Sequence, residues 1–203
     1  NDVFNRVRGR SMGTTSDSLE KRTGLEDSIT IRFRYLDTTF LHQFDTSVND
    51  FYKKVPLNWY DYHLGNMGTA TRPVLFLPTM KPGWNHGLHA FDNYQSKKDE
   101  TRFFNTTRPY SELGYLLGGQ AEQLISLMHT RNISRYWNLA AEYRLMNSPG
   151  FFQSQNINHN NYRLSSWYQS RNKRYQNFVI ITGNKLQTAE NGGIRNDSNY
   201  LNN

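Results

Sequence analysis

Across residues 136–145 the chain reads YWNLAAEYRL, so that Trp137, Leu139, Ala141, Tyr143 and Leu145 alternate with Asn138, Ala140, Glu142 and Arg144. Period-two alternation of this length predicts a β-strand with one apolar and one polar face. Residues 28–35 repeat it, with Ile29, Ile31, Phe33 and Tyr35 opposing Ser28, Thr30, Arg32 and Arg34. A strand that is apolar outside and charged inside is what a transmembrane β-barrel requires. A soluble sandwich shows the same alternation with its apolar face turned inward. The pattern therefore fixes strands and not the solvent that each face meets.

Composition narrows the choice. Aromatic residues make up 14% of the chain although mean hydropathy is only −0.82, a pairing expected of aromatic belts combined with a polar lumen and loops. The longest apolar runs, residues 74–77 and 178–181, fall far short of the ~20 residues of a spanning helix. At 203 residues one substantial domain is expected. There are no cysteines, which excludes a disulfide framework and a thiolate metal site. The net charge of +7 is spread along the chain, with small groups only at Arg6, Arg8 and Arg10, at Lys97 and Lys98, and at Arg171, Lys173 and Arg174. Such groups serve solvation, and no nucleic-acid partner is expected.

Residues 1–27 are charged and aperiodic and read as a tail or linker. After the strand at 28–36, the aromatic cluster at Trp59, Tyr60 and Tyr62 reads as an interfacial girdle or local core. Residues 81–105 read mostly as loop, with one strand near 88–94. Further strands are expected at 111–117, 122–129, 136–145, 161–169 and 175–183, joined through 118–121, 130–135, 146–160 and 170–174. From residue 136 onward short turns alternate with long loops, as in outer-membrane barrels, and the link GGQA at 118–121 is the exception.

Nothing points to catalysis. His86 and His89 in NHGLH are too close to share a strand face and lack a third ligand, so they read as loop histidines, as does His159 in NHNN. No P-loop, GxSxG or GxGxxG is present, and Gly192 and Gly193 are turn residues. Glu112 and Glu122 form no recognisable acid/base pair. The sequons at Asn105, Asn132 and Asn196 are expected by chance in a chain this rich in asparagine. Neither an enzyme nor a cofactor is expected.

The longer phrases carry a resemblance. DSITIRFRYLDTT at 27–39, RFFNTTRPYSELGYLLG at 102–118, NSPGFF at 147–152, NHNNYRLSSWYQSRNKRY at 158–175 and GNKLQTAENGGIRNDSNYL at 183–201 resemble the putative porin family of Bacteroidetes outer membranes. The resemblance implies an all-β, antiparallel transmembrane β-barrel in the Gram-negative outer membrane. This chain would supply the N-terminal portion at 28–203, with 1–27 a periplasmic tail or linker. Thr30, Arg32, Arg34, Asn138, Glu142 and Arg144 are then expected to face the lumen. Ile29, Ile31, Phe33, Tyr35, Trp137, Leu139, Tyr143 and Leu145 are expected to face lipid. The implied function is a porin-like passive diffusion channel for small solutes. The alternatives are a structural or docking subunit that binds other outer-membrane or surface proteins, and a soluble carbohydrate-binding β-sandwich. About six or seven strands are legible, fewer than the eight of the smallest closed barrels, so further strands are expected outside this sequence.

Overall fold

A computed structural model describes residues 30–44, 54–76, 78, 83–85, 87–150 and 155–189. The tail at 1–27, Ile29, His86, Gly192, Gly193 and the sequon at Asn196 lie outside the described residues. Among those described, the fold is all-β and antiparallel, with three short 3-10 turns. No helix among them is long and apolar enough to cross a membrane.

The main element is a five-stranded meander of β6 (Tyr110–Leu117), β7 (Gln123–Ser134), β8 (Trp137–Ser148), β9 (Ile157–Gln169) and β10 (Gln176–Thr188). Each strand pairs only with its sequence neighbours, and β6 and β10 form the open edges. The alternation of the sequence becomes the facing of the strands. On β6 the burial pattern alternates along its whole length, with Leu113, Tyr115 and Leu117 exposed and the residues between them half-buried. At Gly183 the ring of Tyr162, its direct partner on β9, fills the space a Cβ would need, so this position requires glycine.

The five expected strands are all present, but four extend further than the apolar pattern. β7 runs to Ser134 rather than 129, β8 to Ser148 and β10 to Thr188, while β9 begins at Ile157 rather than 161. These extensions are rich in Asn, Ser, Thr and His, which sequence reads as loop although their backbones complete the ladder. The 146–160 loop thus shrinks to 149–156, and the 130–135 connector to the turn 135–136. The contrast between short turns and long loops is correspondingly weaker than expected. In the 118–122 connection Gln120 and Ala121 both adopt positive φ, 53° and 61°.

The N-terminal part stacks over one face of this sheet. β1 (Ile31–Arg34), β2 (His42–Gln43) and β5 (Phe103–Thr106) form a three-stranded sheet in the order β2-β1-β5, and β3 (Asp61–His63) pairs with β4 (Thr71–Pro73). β5 crosses β7, β8 and β9. Two differences from expectation follow. The predicted strand at 88–94 is instead a 3-10 turn at Asp92–Tyr94 whose last residue is fully buried. β5 lies in the region read as loop, because Phe103 and Phe104 are both buried and so show no alternation.

Two small cores join the layers. Phe104, Met128 and Ala140 pack with Ile31, Phe33, Phe44 and Tyr110, and Tyr94, Leu124 and Met146 pack with Leu57, Met67, Phe91 and Leu186 among others. The aromatic cluster near residue 60 contributes to neither, and Trp59 and Tyr62 are exposed.

Candidate functional site

The open face of the five-stranded sheet is mainly apolar, while the covered face combines the apolar residues of the two cores with a polar majority on β8 and β9. On β8 the covered face carries Asn138, Ala140, Glu142, Arg144, Met146 and Ser148, and the open face carries Trp137, Leu139, Ala141, Tyr143 and Leu145. On β9 every second residue from Ile157 to Trp167 is buried, although four of those six are His159, Asn161, Arg163 and Ser165. Burying so many polar groups is costly unless they are hydrogen-bonded.

Their partners are main-chain carbonyls of the covering layer. Along β9, His159 Nε2 meets the Gly68 carbonyl at 2.8 Å, Asn161 Nδ2 donates to the Tyr94 carbonyl, Arg163 Nη1 to Glu100 at 3.2 Å and Ser165 Oγ to Arg102 at 3.2 Å. His159 Nδ1 accepts from the Gln187 amide at 3.2 Å, so the neutral ring carries its proton on Nε2. Gly68, at φ +90°, brings its backbone close enough that a Cβ would lie 2.8 Å from Ile157. On neighbouring strands Arg144 Nη2 donates to the Tyr94 carbonyl at 2.7 Å and Asn132 Nδ2 to that of Thr106. Glu122 Oε1 accepts from the Met67 amide at 3.3 Å and from Ser148 Oγ at 2.9 Å. The polar face is thus a seat for backbone groups of Met67, Gly68, Tyr94, Glu100, Arg102 and Thr106.

At its centre one carboxylate bridges two guanidinium groups. Glu142 accepts from Arg102 of the covering layer at 3.2 Å and from Arg163 of β9 at 3.1 Å. Arg102 also lies over the rings of Phe44 and Phe104, and Arg34 over those of Trp167 and Phe178. Burial pushes the Tyr94 phenol well above its ordinary value, so it stays protonated and neutral within the layer.

Of the residues expected to face a lumen, Asn138, Glu142 and Arg144 do lie on one polar face, but they grip protein there. Asn138 donates to Thr130 Oγ1 at 3.1 Å and to Asn132 Oδ1 at 2.6 Å. Arg32 is exposed on β1, and Thr30 bonds through its amide to Thr107 Oγ1 at 3.2 Å. Of the residues expected to face lipid, Trp137, Leu139 and Tyr143 are exposed and Leu145 half-exposed on the open face. Ile31 and Phe33 differ from expectation, because both pack into the core with Phe104, and Tyr35 meets Phe33 edge-on at 5.6 Å. Alternation identifies which residues share a face, and on β1 the apolar face meets protein. His159 differs too, being a fully buried strand residue rather than loop polarity. Glu112 pairs with Lys54, and no group of metal-ligating side chains exists among the described residues.

The open face carries a continuous apolar band that crosses the strands obliquely. Its centre on β6 is Tyr115, between Leu113 and Leu117. Following the register across Ile125, Leu145 and Asn160 leads to Lys185 on β10, yet the band on β10 is centred at Val179 and Ile181, about five residues away. With ~3.3 Å per residue and ~4.8 Å between strands, that offset is roughly 16 Å over roughly 19 Å, a slope of about 40° to the inter-strand direction. Polar residues occupy opposite corners: Ser111, His129 and Arg131 at one, and Asn158, Asn160, Lys185 and Gln187 at the other. The band and the carbonyl seat were both missed in the sequence, since one needs the register between strands and the other binds backbone that every residue possesses.

No curated protein and no solved structure matches the chain. A family model described as "Putative porin" matches residues 29–203. With its antiparallel strands and its family supporting a porin-like outer-membrane protein, the chain belongs to this putative porin family.

Proposed function

We propose that β6 to β10 form part of the wall of a transmembrane barrel in the outer membrane, with the apolar band in lipid and the polar face toward the lumen. The observation that carries this reading is the slope of the band. Barrel strands cross the membrane tilted by about 35–45°, so a belt level with the bilayer must cross the strand register at that angle. A soluble sandwich would instead bury its apolar faces and wet its polar ones, the opposite of the distribution here. Trp137 and Tyr168, cross-strand partners near one border of the band, suit an aromatic girdle. The function that follows is non-enzymatic, porin-like passage of small solutes along the polar side of the wall. The edges β6 and β10 would need strand partners, since unpaired backbone in lipid costs several kcal/mol per group.

A second reading, a docking subunit for other outer-membrane or surface proteins, draws on the exposed Trp59, Val74 and Phe76 beside β3 and β4. Fractionation of the full-length protein tests the first. Folded protein should partition with the outer membrane and show heat-dependent mobility on gels, and folded protein in the soluble periplasmic fraction would reject the wall assignment. Copurification of a stoichiometric protein partner that is lost on Trp59→Ser with Phe76→Ser would favour the second.

A further inference from the structure

Resting on the reading of the polar face as a lumen wall, we propose that the described residues at 67–76 and 87–106 belong to a displaceable plug and that Glu142 is its latch. The grip on this segment is a row of separate hydrogen bonds from His159, Asn161, Arg163 and Ser165, with Arg144 and Asn132, to carbonyls between Gly68 and Thr106. Water can replace each of them at a small net cost. Apolar attachment comes from two clusters of three buried residues each, with their half-buried neighbours, and from Phe103 against Phe178. Between these clusters the buried residues of β9 are polar ones, suited equally to a hydrated lumen.

The closed arrangement also leaves polar atoms unpaired. Arg144 Nε, Asn161 Oδ1, Arg163 Nε and Trp167 Nε1 are buried without a protein hydrogen-bond partner, and all lie on the covered face of the wall. Hydration on release would satisfy them. Among the described residues, ionic contact between the layers is made by Glu142 at this place and by Lys54 with Glu112 at β6. Glu142 joins Arg102 of the plug to Arg163 of the wall, and without its charge these two guanidinium groups would lose the carboxylate that holds them together.

The chain has no cysteine, so paired cysteines can lock the plug. Thr106 Oγ1 lies 3.4 Å from Asn132 Oδ1, and the Ser96 amide donates to Asn184 Oδ1 at 2.8 Å. Thr106→Cys with Asn132→Cys and Ser96→Cys with Asn184→Cys would be introduced separately into the full-length protein, with and without Glu142→Gln. Each protein is first checked for heat-dependent mobility, then measured in planar bilayers in potassium chloride. The plug predicts low conductance in the oxidised pairs, a several-fold rise with Glu142→Gln, and suppression of that rise by oxidation of either pair, reversed by reductant. Folded protein whose conductance is the same locked, reduced and with Glu142→Gln would overturn the plug while leaving the barrel standing. Failure of both pairs to cross-link in folded protein would overturn it as well. An unmodified protein with no heat-dependent mobility would refute the barrel, and the plug with it.

Discussion

The open and covered faces of the five-stranded sheet are built by the same strands and differ only in which residues of the alternation they receive. One collects Leu113, Leu127, Leu139, Leu164 and Ile181, and the other Asn138, Glu142, Asn161, Arg163 and Ser165. In a soluble protein the first set would lie inside. Here it is the second that is buried, and its burial is tolerated because nearly every member reaches a carbonyl or a charge partner. The contrast teaches that burial and polarity must be read together: a buried polar face beside an exposed apolar one is what the proposed barrel wall requires.

Substitutions that move polarity between faces sharpen this contrast. The largest effect is expected for Leu164→Arg, near the centre of the band, which should lower stability by about 2–4 kcal/mol, measured by urea unfolding in lipid vesicles. A loss near zero would place that face in water. On the covered side, Glu142→Ala leaves Arg163, whose side chain is 8% exposed, without its charge partner. A cost of about 2–3 kcal/mol follows, below the full value for a buried pair because Glu142 keeps 20% of its exposure. The double variant with Arg163→Met should recover part of it.

Asn138→Arg would be nearly silent if this residue faced open water. Its burial to 6% and its bonds to Thr130 and Asn132 predict instead a loss of about 1–3 kcal/mol. The smallest effect is expected at the rim of the band. Asn160→Arg should cost about 0–1 kcal/mol in the same vesicles, because arginine is tolerated near the interface. A cost at Asn160 equal to that at Leu164 would flatten the band and remove its slope.

How much of this was legible depends on periodicity. β8 announces itself through Trp137 to Leu145 and β6 nearly as clearly, because their apolar faces alternate with polar ones, whereas β10 shows through the unbroken apolar run at 178–181. The Asn-rich start of β9 does not, since Asn158, Asn160 and Asn161 resemble loop although Ile157, His159 and Asn161 are buried every second residue. On β1 the alternation is equally good, yet Ile31 and Phe33 pack on Phe104. Period two carries no record of what lies opposite. The candidate lumen residues of β8 were recognisable as one face, while their partners were not: the carbonyls of Gly68, Tyr94, Glu100 and Arg102 are main-chain groups, and residues 81–105 read mostly as loop.

The account stands or falls on the environment of the two faces. Single cysteines placed in turn from 137 to 148 on β8, and at 131, 164 and 185, can carry a nitroxide label whose relaxation by oxygen and by a water-soluble nickel chelate is measured in vesicles. The account predicts high oxygen accessibility at 139, 141, 143 and 164, low accessibility to both reagents at 138, 140 and 142, and a rise in nickel accessibility at 131 and 185, the two borders of the band. Strong nickel accessibility at 139, 141 and 143 would contradict it, since those side chains would then lie in water.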